Sequence, residues 1–124
     1  MRRSSRYGNI KRHLHPDGTV LDSKRELNRY ADLLLLQKAG EIRDLKVHPR
    51  YPIEIGGVPI MLKSMRYPKG RQLTYVADFH YLERVNVAWR PIIQDVKMES
   101  GHRTEVYKIK RALMEAMGRE ITEY

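Results

Sequence analysis

The chain of 124 residues contains no cysteine, which excludes disulfide bridges and zinc sites built on thiolates. No apolar run approaches the roughly 20 residues that a membrane-spanning helix needs. The charges near the N-terminus are not followed by a hydrophobic segment, so the start of the chain does not read as a secretory signal. Internal repeats and low-complexity segments are also missing. Acidic residues are the scarcer charge, with 15 Asp and Glu against 24 Lys and Arg, a formal net charge of +9. An excess of this size points to a polyanionic partner, a trait shared by ribosomal, membrane-surface and chromatin-like proteins.

What is present suits one compact domain with a modest core. The positive charge is unevenly spread. Arg2, Arg3, Arg6, Lys11 and Arg12 all precede the first acidic residue, Asp17. Residues 1–18 therefore read as a basic arm ahead of a single domain over 19–124. Such an arm can lie along phosphates or act as a solubilising tail. His13 and His15 have no third metal ligand nearby and read as surface histidines.

Residues 73–97 carry the densest signal. Residues 73–81 and 91–97 read as two strands joined by a polar turn over Glu83, Arg84, Val85 and Asn86, an antiparallel hairpin. Alternate side chains of a strand share a face. Leu73, Tyr75, Ala77, Phe79 and Tyr81 then form one apolar set, with Val76, Asp78 and His80 opposite. Asp95 and Lys97 project together. Two carboxylates and a lysine embedded in apolar strand sequence are costly unless they meet a cation or each other. They can bind a divalent metal through carboxylate oxygens. They can equally form a plain cross-strand ion pair.

Around this hairpin, Ser23 and Glu26 fit a capping box that opens a helix ended by Gly40. Leu27, Tyr30, Ala31, Leu34 and Leu35 set its apolar face, and Leu33 and Leu36 fall off it, enough to suggest a second subunit. Glu26 has two readings, a carboxylate reaching back to the Ser23 backbone or one pointing at a metal. Residues 42–47 and 53–55 look like strands, broken over 48–52. Gly56 and Gly57 turn the chain into an extended piece over 58–62, placed at an edge by Pro59. The loop over 63–71 holds Lys63, Arg66, Lys69 and Arg71 around Tyr67 and suits either a nucleic-acid backbone or a solvated hairpin tip. Thr104 caps a second helix in which Val106, Ile109, Leu113, Ala116 and Met117 should face the sheet. Gly118 ends it before a last short strand.

Tyr75-Val76-Ala77-Asp78-Phe79 followed by Asp95-Val96-Lys97 resembles the acid, then acid-x-Lys, of the PD-(D/E)XK nuclease superfamily. The order Ser23-Lys24-x-Glu26, Tyr75-x-Ala77-Asp78-Phe79, Asp95-Val96-Lys97 and Thr104-x-x-Tyr107-x-x-Lys110 is similar to that of small phage-encoded nucleases related to endonuclease I and other Holliday-junction resolvases. The likeness runs from Thr19 to the C-terminus. Ala77 stands at the superfamily's proline, Gln94 where a glutamate is expected, and Met98 at the usual glycine.

The resemblance implies an α/β fold with a restriction-endonuclease-like core, a mixed β-sheet with a central hairpin flanked by two helices. It implies a Mg²⁺- or Mn²⁺-dependent endodeoxyribonuclease, a homodimer acting on branched DNA; the chain reads as cytoplasmic, and as acting in a bacterial host's cytoplasm if it is phage-encoded. Asp78, Asp95, the Val96 carbonyl and Glu26 would hold the metal. Lys97 would orient or deprotonate the attacking water, and Lys110 would reach the scissile strand. The rival expectations are a non-catalytic nucleic-acid-binding protein and an assembly protein whose basic arm threads a polyanion.

Overall fold

The computed structural model describes residues 13–97, 101 and 103–124. The basic residues Arg2, Arg3, Arg6, Lys11 and Arg12 lie outside them, as does Met98. Two short strands, β1 (His13–Leu14) and β2 (Val20–Leu21), precede helix α1 (Lys24–Lys38). The strands that follow are β3 (Ile42–Val47), β4 (Arg50–Pro52), β5 (Glu54–Ile55), β6 (Val58–Pro59), β7 (Met61–Leu62), β8 (Arg71–Gln72), β9 (Thr74–Val76), β10 (Phe79–Val85) and β11 (Ala88–Asp95). Helix α2 (Glu105–Ala116) and β12 (Ile121–Glu123) close the chain.

The main sheet has four strands in the order β12-β11-β10-β3. β10 runs antiparallel to both β3 and β11, and β12 is parallel to β11, so the sheet is mixed. The fold is mixed α/β with two helices among the described residues. Neighbouring side chains on β11 separate its two sides. Ile92 packs with Tyr30, Leu33, Phe79 and Tyr81 beneath α1, whereas Ile93 packs with Tyr75, Ala77, Met114 and Ile121 beneath α2. This is the period-2 alternation of a strand buried on both faces.

The same alternation explains the largest departure from expectation. Tyr75, Ala77, Phe79 and Tyr81 are all buried, as their spacing predicts. Residues 73–81 are nevertheless not one strand. β9 pairs with β4, β10 pairs with β3 and β11, and the chain changes partners at Ala77 and Asp78. Tyr75 and Ala77 accordingly serve the core under α2, and Phe79 and Tyr81 the core under α1. The neighbouring chain bends at the same level, where His48 adopts a left-handed φ of 54° between β3 and β4. Its amide donates to the Asp78 carbonyl at 2.9 Å, tying the two bends together.

Other boundaries also move. The hairpin turns at Asn86 and Val87, with Asn86 at φ 58°, the left-handed backbone that a two-residue turn requires. Glu83 and Arg84 remain in the ladder, and Glu83 pairs with Arg90 at 2.6 Å. Residues 50–52, expected to break the strands, form β4 because β9 supplies a partner. The extended piece over 58–62 is two strands, β6 and β7, with Ile60 between them.

The helices are rotated from their expected faces. In α1 Leu33 is fully buried while Leu35 is exposed, and Leu34 and Leu36 pack at the core's edge. The leucine surface expected to need a second subunit is thus mostly covered within the chain. In α2 Val106 and Ile109 are exposed, and Tyr107, Leu113, Met114 and Met117 face inward. In this rotation Tyr107 and Arg111 bond to Glu123 on β12.

Candidate metal centre

The bend at Asp78 brings together residues far apart in sequence. Ser23 caps α1, its hydroxyl accepting from the Glu26 amide at 3.1 Å. This places Glu26 in the first turn, on the side of α1 that faces the sheet, where only 7% of it is exposed. Its Oε1 lies 3.3 Å from His48 Nε2, and the same nitrogen lies 3.5 Å from Asp22 Oδ2. One donor atom from each of Asp22, Glu26, His48 and Asp78 falls within 4.8 Å of the other three.

Asp78 joins this group to the second half of the site. Its Oδ2 accepts from the Val96 amide at 2.7 Å, and its own amide donates to Asp95 Oδ1 at 3.0 Å. Asp95, at the end of β11, is buried and accepts from the Tyr75 hydroxyl. Lys97 Nζ stands 3.8 Å from Asp95 Oδ2 and 3.7 Å from the centre of the Tyr107 ring. Asp95 and Lys97 therefore project together, as the strand spacing predicts. The backbone contact at Val96 is made by its N–H, while its side chain packs beneath α1.

The electrostatics follow from burial. Glu26 is pushed up to about 7, first by loss of solvent and then by the charge of Asp78. Burial also raises Asp78, against the pull of the Val96 amide, Lys97 and His48. Asp95 is raised by burial too, and Lys97 offsets part of the shift. Three carboxylates that resist ionisation form a site whose charged state calls for a cation. An open hollow of about 540 Å³, lined by Ser23, Arg25, Glu26, Val96, Lys97, Gly101 and Arg103, gives access from solvent.

The four residues expected to do chemistry are thus assembled, with Glu26 beside Asp78 and Asp95 beside Lys97. Of the expected nucleic-acid contacts, Lys63, Arg66 and Lys69 are exposed on the loop between β7 and β8, and Arg71 on β8. Lys110 is half-buried on α2. Gln94, at a position where a glutamate was expected, is buried between the Tyr81 hydroxyl and Arg29. It holds the strand to its neighbours through a neutral amide.

Residues 4–123 match a family described as "Protein of unknown function (DUF1064)". The chain belongs to that family. No curated protein and no solved structure matches it. No helix among the described residues is long and apolar enough to cross a membrane.

Sequence reasoning missed two members of the cluster in this DUF1064 chain, Asp22 and His48. Asp22 immediately precedes the Ser23 cap, a place where acidic residues are ordinary. His48 sits before Pro49 in what reads as a connecting stretch. Its left-handed backbone is the only local mark, and that is invisible before folding.

Proposed function

We propose that the chain is a metal-dependent DNA endonuclease of the PD-(D/E)XK kind, built on a restriction-endonuclease-like core. The observation that carries this reading is the convergence of Glu26, Asp78, Asp95 and Lys97 at one bend of two paired chain segments. Mg²⁺ and Mn²⁺ hold oxygen ligands at about 2.0–2.2 Å, so their ligands lie within roughly 4.4 Å of one another. The clustered donor atoms need only small side-chain movements to meet that limit. The donors are mainly carboxylates, which suit Mg²⁺ and Mn²⁺, and the His48 nitrogen tilts the set toward Mn²⁺.

Glu26 and Asp78, with Asp22 and His48 beside them, would hold the cation, and Asp95 would adjoin it through Asp78, whose amide it accepts from. When bound, the metal polarises a phosphate oxygen and lowers the pKa of its water. The chain's own groups do the rest. The Val96 amide fixes one Asp78 oxygen, and the Asp78 amide with the Tyr75 hydroxyl fixes Asp95. Lys97, beside Asp95 and stacked on Tyr107, holds a positive charge where negative charge builds on the phosphate.

Branched DNA as substrate and a two-fold dimer are the finer parts of this reading, and the reaction belongs in the cytoplasm with its DNA. Exposed Leu35 on α1 leaves little surface there for pairing. Light scattering decides the dimer: a monomer at all concentrations ends it. Incubation of linear, nicked, single-stranded and four-way DNA with Mg²⁺, Mn²⁺ or EDTA tests the activity. Metal-dependent cutting is the expected result. Undiminished cutting in EDTA, or binding without cutting under every metal, overturns the endonuclease.

A further inference from the structure

A second hollow, of about 250 Å³, lies beside the acidic bend and has the opposite charge. It is lined by Arg50 from β4, Arg71 from β8 and Lys110 from α2, together with Leu62, Gln72, Leu73, Thr74 and Val76. No carboxylate among the described residues lines it. Three cations from three separate elements thus line one hollow. We propose that this hollow is a phosphate subsite, which binds a phosphodiester of the DNA strand next to the one held at the acidic bend. The inference rests on the endonuclease reading for the identity of the strand, but not for the chemistry of the hollow.

Position supports the assignment. Arg50 and Val76 are register partners in the β4–β9 ladder. Two residues along each segment lie His48 and Asp78, joined by their own backbone hydrogen bond. Two residues span no more than roughly 7 Å of chain, a reach comparable to the step between successive phosphates of a strand. The guanidinium of Arg71, though exposed, lies 5.4 Å from the centre of the Tyr67 ring, within cation–π reach. Arg50 and Arg71 present planar forks that match phosphate oxygens, and Lys110 adds a point charge. The neighbouring Gln72 and Thr74 side chains supply neutral donors.

The test measures binding without cleavage. Affinity of the full chain for a labelled DNA duplex is followed in EDTA across a salt series, for wild type, for Arg50→Gln, Arg71→Gln and Lys110→Gln, and for the triple variant. Each phosphate contact contributes about 0.9 to the slope of log affinity against log salt. Each single variant should lower the slope by part of that amount and the triple variant by about all of it, since one phosphate is shared among the three cations, with an unchanged melting temperature to show that each is folded. Lys108→Gln is the control, because Lys108 is on the same helix but pairs with Glu105 at 3.3 Å. Slopes in the single variants and the triple variant no different from that control overturn the subsite. Inorganic phosphate, the free source of the same chemistry, is added as a competitor. Displacement only at high millimolar phosphate supports a strand site, and displacement at micromolar phosphate overturns it. Lowered slopes in a protein that never cuts DNA keep the subsite and end the endonuclease reading. Normal cutting with unchanged slopes does the reverse.

Discussion

Glu26 and Glu123 are the same residue type in opposite surroundings. Glu123 accepts from Arg103 at 3.1 and 3.2 Å, from Arg111 at 3.1 Å and from the Tyr107 hydroxyl at 2.6 Å. These donors hold its carboxyl down to about 2. Glu26 has one imidazole at 3.3 Å and the carboxylates of Asp78 and Asp22 nearby, and burial pushes it up to about 7. Glu123 is satisfied by the fold and ties β12 to α2. Glu26 has fewer donors and sits among like charges, so burial holds it against ionisation, the kind of perturbed carboxyl found at binding sites.

The sharpest way to break that contrast is to remove charge on each side and measure cutting. Asp95→Asn or Lys97→Ala should reduce DNA cleavage by roughly 1000-fold, as expected when several kcal/mol of charge stabilisation is lost, while DNA binding survives. Glu123→Gln should leave cleavage per folded molecule nearly unchanged. Equal loss of activity in Glu123→Gln would erase the distinction between the two carboxylate environments.

Metal dependence comes next. Glu26→Gln should require about tenfold or more metal for half-maximal cutting, the scale of a lost carboxylate interaction of ~1.4 kcal/mol. An unchanged metal titration would return Glu26 to a purely capping role. His48→Ala should weaken the response to Mn²⁺ more than to Mg²⁺, read as the rise in melting temperature on adding each ion. Equal losses would remove His48 from the ligand set.

Stability should then respond in opposite directions. Glu123→Gln removes charged hydrogen bonds worth about 2 kcal/mol and should lower the melting temperature by several degrees. Glu26→Gln removes a buried like charge and should hold or raise it at pH 8. A lowered melting temperature in Glu26→Gln would show that its charge supports the fold.

The smallest effect is on the pH profile of stability. Glu123 titrates at about 2 folded against 4.5 unfolded. The unfolded chain binds more protons between these values, so the Glu123 contribution rises from pH 2 to 4.5 and is lost on acidification. Glu26 titrates at about 7 folded against 4.5 unfolded. The folded chain then binds more protons, so stability without metal declines from pH 4.5 to about 7. Denaturant titrations should show the rise vanish in Glu123→Gln and the decline vanish in Glu26→Gln. A decline that persists in Glu26→Gln assigns it to another group.

Much of this was legible in the residues. The Ser23 and Thr104 caps mark the starts of both helices, because a side-chain oxygen in the right place satisfies a local amide. The buried alternation from Tyr75 to Tyr81 and the pairing of Asp95 with Lys97 are likewise local consequences of strand geometry. Helix rotation was not legible. Val106 and Ile109 are at helical spacing and yet exposed, while Tyr107 and Arg111 on the same helix bond Glu123.

Sequence by itself determined the identity and order of Glu26, Asp78, Asp95 and Lys97, the turns at Gly40 and Gly118, and the excess of positive charge. These depend on residues within one turn or one strand of each other, or on composition. Only the tertiary structure decided that residues 73–81 break at Asp78, that His48 and Asp22 join Glu26, and that Arg50 meets Arg71 and Lys110. Each of those results needs a partner strand or helix contributed from a distant part of the chain. Period-2 spacing records which side chains alternate, but not where a strand exchanges one hydrogen-bonding neighbour for another.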